Sequence, residues 1–195
     1  MGRSSRSDAG SDLAQTNIIR REIPKIIQEF QIKTFLDAPC GDFYWMQNTK
    51  LGVERYIGIG VDIVDAMIEI NKAKFTNYYT EFKTLNLSRD TLPKVDLIFS
   101  RDLLVHLNFE DIFKTIANLK KSGASYLLTT TFVDRTHNAD LIGLWRTLNL
   151  QLAPFSFPQP ILLINEGGKE ANGEFSDKSL RLWSLKDIIL PIEWY

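Results

Sequence analysis

Two acids at the ends of apolar stretches set the first chemical question in this chain. Asp37 closes "TFLD" and is followed by Ala38, Pro39, Cys40, Gly41 and Asp42, while Asp62 closes "RYIGIGVD" about 20 residues beyond Gly41. In nucleotide-binding units an acid at that distance meets the ribose, because one carboxylate accepts both donors of a vicinal diol. The alternative is that both acids only cap helices or end strands. A second constellation lies in "SRDLLVHL", which offers Arg101, Asp102 and His106. Asp102 and His106 are four apart, so a helical turn would set them on one face. A histidine held about 3 Å from a hydroxyl can take its proton, and a paired carboxylate would fix the tautomer of the ring. The alternative is that His106 packs beneath the next helix.

Other chemistry-bearing types carry less. Cys40 has no paired His or second Cys and reads as a small buried filler. Gly58 and Gly60 precede Asp62 instead of following the first strand, so they read as close packing within the second. His137 lies in a polar loop and reads as solvated, and the four tryptophans read mostly as core. Carboxylates at metal-ligand spacing are not evident, so a metal-independent site is expected, with Asp102 and Asp134 leaving a divalent ion open.

These groups need a scaffold, and hydrophobic periodicity supplies one. "LAQTNIIRREIPKIIQEF" sets Ile19, Ile23, Ile26, Ile27 and Phe30 at helical spacing, with Pro24 kinking the helix or starting its second part. "TFLDA", "RYIGIGVDI", "YTEFKTLNL", "KVDLIFS" and "ASYLLTTTF" read as strands, and "DAMIEINKAKF" and "NFEDIFKTIANLKKSG" as helices. The second of these helices carries a capping pattern, Asn108 before Glu110 and Asp111, and ends on Lys120, Lys121 and Gly123. Strands alternating with helices predict a parallel sheet covered on both faces. Ligands then sit at the carboxyl ends of strands where the strand order reverses, the kind of position "DAPCGDF" occupies. Residues 134–160 have weak periodicity and end in the loop "APFSFPQP", and "ILLINE" and "LRLWSL" read as an antiparallel pair at the sheet edge.

The whole-chain quantities narrow the classes. The 195 residues, 44% apolar and 24% charged, suit one soluble domain. A net charge of −1 gives no pull toward nucleic acid or an anionic membrane. The single cysteine forms no internal disulfide, and no apolar run reaches the roughly 20 residues of a membrane span. "MGRSSRSDAGSD" lacks the apolar segment of a secretory signal, so a reducing, cytoplasmic compartment is expected. A dehydrogenase is disfavoured by the missing G-x-G-x-x-G, and a nucleic-acid methyltransferase by the charge and the missing Asn/Asp-Pro-Pro-aromatic segment.

On these motifs the chain resembles the class I S-adenosylmethionine-dependent methyltransferases. "DAPCGDF" matches their first motif, although Pro39 and Phe43 stand where glycines are common, and "YIGIGVDI" matches the second. "TLNLSRDTLPKVDLIFSRDLLVHL" resembles the third and fourth, with Asn86 where many members carry an aspartate near the adenine amine. The nearer resemblance, including "GSDLAQT", "LLTTTFVDRTHN", "WRTLNL" and "LINEGG", is to members from bacterial polysaccharide loci and large algal viruses. It implies a Rossmann-like, mostly parallel seven-stranded sheet with an antiparallel edge pair and helices on both faces. It also implies S-adenosylmethionine as cofactor, held by Asp37, Ala38, Pro39, Gly41, Trp45, Asp62, Ile63, Asn86, Leu87 and Arg101, with Met67 or Ile63 beside the adenine. Residues 1–17 are expected to form a mobile lid before a single domain over 18–195, bringing Ser11, Gln15, Thr16 and Arg20 to the methionine end.

The activity so implied is O-methylation of a sugar hydroxyl in a glycan or nucleotide sugar, a deoxyhexose such as rhamnose among the candidates. His106 would be the base and Asp102 its partner or the acceptor's. The insertion would recognise the sugar through Asp134, Arg135, Asn138, Trp145, Arg146 and Asn149, with Asn165 and Glu166 reaching the same mouth. The expected partner is a carbohydrate acceptor, not nucleic acid, and membership of a larger glycan-assembly protein or complex is open. A small-molecule methyltransferase and a non-catalytic module binding cofactor or partner are the alternatives.

Overall fold

The computed structural model describes residues 9–60, 65–168 and 173–194. The helix α1 (Asn17–Glu29) buries Ile19, Ile23, Ile26 and Ile27 along one face and runs through Pro24. It leads into β1 (Thr34–Asp37), β2 (Arg55–Gly60), α2 (Asp65–Phe75), β3 (Thr80–Thr84) and β4 (Leu97–Ser100). Then come α3 (Phe109–Lys121), β5 (Tyr126–Phe132), β6 (Leu162–Asn165) and β7 (Lys178–Ser184). The start of α3 is set by Asn108, whose side chain accepts the Asp111 N–H at 2.8 Å. Acids in its first turn and lysines in its last complement the helix dipole.

The seven strands lie in the order β3-β2-β1-β4-β5-β7-β6, as the sequence led us to expect of a mostly parallel sheet. Strands β1 to β5 are parallel neighbours, and β7 runs antiparallel between β5 and β6. Successive side chains point to opposite faces, and the apolar strands supply both. Leu36, Ile57, Ile98 and Leu127 pack with Ile112 and Ile116 of α3. Phe35, Phe99 and Leu128 pack with the isoleucines of α1 and with Ile68 of α2. The strand order reverses at β1, which pairs with β2 on one side and β4 on the other. Asp37 lies at that reversal, opposite Phe99.

Gly58 and Gly60 serve close packing. A Cβ on Gly58 would lie 2.5 Å from the Phe82 ring, and one on Gly60 would lie 2.0 Å from Cγ1 of Ile68. Gly60→Ala should therefore lower the urea-unfolding free energy by about 1–3 kcal/mol. Combined with Ile68→Ala, it should cost less than the sum of the two single changes, because the obstructing atoms are gone. Simple additivity would remove Ile68 as the cause.

Candidate functional site

The loop after β1 is held from both sides. The Ala38 N–H donates to Phe99 O and the Cys40 N–H to Ile59 O, each at 2.9 Å. Gly41 takes a φ of +53°, which suits a residue without a Cβ, and its carbonyl accepts the Nδ2–H of buried Asn71 at 2.8 Å. Phe43 also has positive φ, at 60°, and its ring is wedged among Tyr56, Phe75 and Phe82. Trp45 packs its edge on Phe99. Asp37 is 2% exposed, and its Oδ2 accepts the Tyr56 hydroxyl at 2.6 Å. Burial raises its carboxyl to about 7, although the Tyr56 hydrogen bond and the Arg101 charge both act downward. Burial likewise pushes the Cys40 thiol far up, so it is a filler and not a nucleophile at neutral pH.

Past β4 the carboxyl ends of the strands gather a neutral quartet of charges. Arg101 Nη2 donates to Glu166 Oε2 at 2.8 Å, and Nε reaches both carboxylate oxygens of Glu166, itself only 4% exposed. Lys178 Nζ donates to Asp102 Oδ2 at 2.6 Å and lies 3.9 Å from Glu166. Arg101 Nη1 is 3.4 Å from Asp102 Oδ2. Asp102 has a φ of +58°, and its N–H donates to Thr130 Oγ1 at 2.9 Å. Burial acts to raise its carboxyl, but Arg101 and Lys178 outweigh burial and hold it below the usual carboxylate range. Arg101 also donates to Gly10 O at 3.0 Å, which ties the N-terminal segment to this mouth.

The expected pairing of Asp102 with His106 is replaced by other contacts. The positive φ at Asp102 breaks any α-turn, and Leu104–His106 is a short 3₁₀ turn. His106 Nδ1 lies 2.6 Å from Leu144 O. A carbonyl only accepts, so Nδ1 carries a proton, and in the neutral ring the lone pair is then on Nε2. The partner that sets the tautomer is a backbone oxygen of the insertion.

Much of the polarity in that insertion is spent on backbone groups, its own and those of the turn before α3. Arg146 donates to the carbonyls of Ala139, Leu104, Val105 and Leu107. Asn138 Nδ2 donates to Asn149 O and Ala153 O, and its Oδ1 accepts the Asn149 N–H. Asn149 is buried and donates to Val133 O and Arg135 O. Asn165 spans a turn between Ser176 O and the Gly167 N–H. Arg135 grips Asp177 through Nη2 at 2.7 Å and Nε at 3.1 Å. Asp134 is exposed, and Trp145 is 40% exposed with its edges on Phe132 and Phe175.

Around the N-terminal segment, Asp12 Oδ1 accepts the Gln15 N–H at 2.8 Å, buried Thr16 donates to Asp12 O, and Arg20 Nη2 donates to Leu13 O. Ser11 is buried beside them. Asn86 accepts from Ser88 in a turn, and Leu87 is buried. Asp62 and Ile63, and the first eight residues of the expected lid, lie outside the described residues. Sequence reasoning missed Tyr56, Asn71, Thr130, Asp177 and Lys178. None of these carried a distinguishing signal in the sequence, since Lys178 opens a strand that also holds Ser179, Arg181 and Ser184. Among the described residues no three of His, Cys, Asp or Glu are grouped to hold a metal ion, and no helix is long and apolar enough to cross a membrane.

Solved structures of methyltransferases share this architecture. The methyltransferase domain of bacterial CtHen1 superposes with a TM-score of 0.61 at 10% identity, covering 87% of this chain and 99% of that one. An S-adenosylmethionine-dependent methyltransferase from Clostridium acetobutylicum gives 0.62 at 10% identity, covering 90% and 93%. Human N-acetylserotonin methyltransferase, in complex with SAM, gives 0.59 at 12% identity, and this chain covers 53% of its length. No protein-family model matches the sequence, and no curated protein does. The chain has the Rossmann-like fold of class I S-adenosylmethionine-dependent methyltransferases.

The buried acid has a measurable consequence. A carboxyl raised to about 7 keeps its proton in the folded chain after the unfolded chain has lost it, so stability falls as pH climbs from about 4 to about 7. Asp37→Asn removes this titration. Its stability relative to the parent should rise by about 3 kcal/mol between pH ~5 and pH ~8 in urea unfolding. A difference independent of pH would exclude a raised Asp37.

Proposed function

We propose that this chain transfers the methyl group of S-adenosylmethionine to a sugar hydroxyl of a glycan or nucleotide sugar. The observation that carries the reading is Asp37, a buried carboxyl at the strand-order reversal whose protonation lies near neutrality. A cationic group arriving there stabilises the ionised form, which suits the ammonium and sulfonium of the cofactor. S-adenosylmethionine supplies, when bound, a methyl group open to attack by a nucleophile. The loop from Asp37 to Gly41 would line its amino-acid end together with Gln15, Thr16 and Arg20. Asp62 and Ile63 would hold ribose and adenine, beside Asn86 and Leu87. The tie from Arg101 to Gly10 supports residues 1–17 acting as a lid over this end.

At the acceptor, His106 Nε2 takes the hydroxyl proton as the new carbon–oxygen bond forms and the sulfur–methyl bond breaks, leaving S-adenosylhomocysteine and a methyl ether. Asp102, kept ionised by Arg101 and Lys178, accepts a hydrogen bond from a second hydroxyl and orients the ring. Trp145 and Asp134 offer a stacking face and an exposed carboxylate on the same insertion.

Calorimetry with S-adenosylhomocysteine should give binding that Asp62→Ala weakens by about 1–3 kcal/mol. Unchanged affinity in the folded variant would remove Asp62 from the site. With a methyl-accepting sugar found by screening nucleotide sugars and short glycans, His106→Ala should lower turnover about 10²–10⁴-fold at unchanged cofactor affinity. Near-normal turnover excludes His106 as base, and loss of activity on chelation alone replaces the base by a metal ion. Cofactor binding without transfer to any acceptor would make the chain a binding module.

A further inference from the structure

A cavity of about 480 Å³ opens away from the carboxyl ends of the strands. It lies between the loop that runs from β1 back to β2 and the segment joining α2 to β3, so it borders the amino ends of β2 and β3. Its volume falls in the range of small-molecule sites, roughly 300–1,000 Å³. Phe43, Tyr56, Phe75 and the exposed Tyr79 bring aromatic rings to a lining that is otherwise mixed, with Gln47, Thr49, Asn77 and Thr80 as polar neighbours of Met46 and Leu51.

The charge of the lining has one sign. Lys74 is exposed and, among the described residues, makes no ion pair, whereas nearby Lys72 is paired with Glu69. No carboxylate from the described residues lines the cavity. The rings offer stacking faces to a flat partner, and the Lys74 ammonium beside them gives a single negative charge on that partner the advantage, its repulsion opposing the attraction of the ring faces for a cation.

The cavity also touches the β1 loop. Tyr56 presents its ring to the cavity while its hydroxyl donates to Asp37 Oδ2 at 2.6 Å. Phe43, whose ring lies 5.1 Å from that of Tyr56, holds positive φ two residues after Gly41. We propose that this cavity is a second binding site for a small aromatic monoanion, and that its occupant communicates with the cofactor loop through Tyr56. The second clause rests on the cofactor reading above; the first does not. A ligand packed on the Tyr56 ring orders it and holds its hydroxyl on Asp37. The hydrogen bond favours the ionised carboxylate, so occupancy favours a cationic cofactor group beside Asp37, and the coupling is reciprocal.

The test uses the full chain with phenylacetate as the anion, and benzylamine as the like-shaped cation. Phenylacetate should shift the amide resonances of Gly52 and Thr76 saturably, with a dissociation constant on the order of 1 mM. Benzylamine should not do so. Lys74→Gln should weaken phenylacetate about threefold to fivefold and leave S-adenosylhomocysteine affinity in its absence unchanged. Saturating phenylacetate should tighten S-adenosylhomocysteine binding in the parent chain and not in Tyr56→Phe. Equal binding of both probes, or no saturable shift, overturns the site. Phenylacetate binding with no change in S-adenosylhomocysteine affinity overturns the communication. If S-adenosylhomocysteine does not bind at all, the cofactor reading fails while the resonance titration still decides the site.

Discussion

A buried ion pair between Arg101 and Glu166 organises the carboxyl ends of the sheet. The two residues leave β4 and β6, strands separated in the sheet by β5 and β7, and their side chains meet at 2.8 Å with almost no solvent access. Removing one partner from such a pair leaves an uncompensated buried charge, a loss of typically about 3–5 kcal/mol. The pair therefore fixes where the β6 end can lie. Through the Arg101 bond to Gly10 O it also fixes where the chain enters, and Lys178 joins the group from the start of β7. The β6 end and the entering chain are in this way registered on one guanidinium, and β7 joins them through Glu166 and Asp102.

Charge balance in the quartet separates the roles of its neighbours. Arg101 and Lys178 neutralise Glu166 and Asp102, so Asp102 remains a carboxylate although it is largely buried. Asp37 receives only the longer-range influence of Arg101 and one hydroxyl, which do not overcome its burial. Two aspartates at the ends of adjacent strands thus hold opposite preferences for a proton, and the difference comes from their neighbours. Environments that push similar groups apart are typical of reactive sites.

The insertion after β5 is a built scaffold rather than a free recognition loop. Thr131 accepts the Leu150 N–H, Phe132 donates to Leu148 O, and Arg146 binds three carbonyls around the 3₁₀ turn that carries His106. Each polar group spent on a buried carbonyl or N–H meets a backbone requirement that the loop cannot meet with regular secondary structure. The exposed Trp145 and Asp134 thus stand on a fixed backbone, and among the described residues the Asp134 carboxylate has no partner.

The elements themselves were legible in the sequence, because apolar period and turn residues are local properties. The isoleucines of α1, the cap at Asn108 and the mostly parallel, doubly covered sheet all follow from spacing along the chain. Asp37 at a strand end was legible for the same reason. Its burial and its Tyr56 partner were not, since they depend on β2 lying beside β1 in one particular register. The pairing of Asp102 was misjudged because spacing assumed a helical turn, whereas the backbone takes a left-handed residue and a 3₁₀ turn there. Lys178 meets Asp102 across 76 residues of chain, a contact only the antiparallel placement of β7 against β5 creates. The sequence by itself determined which segments are strands or helices and which residue types stand at their ends. Only the tertiary structure decided which of those charges face each other, because a proton's preference is set by burial and neighbours within a few ångströms, whatever their distance along the chain.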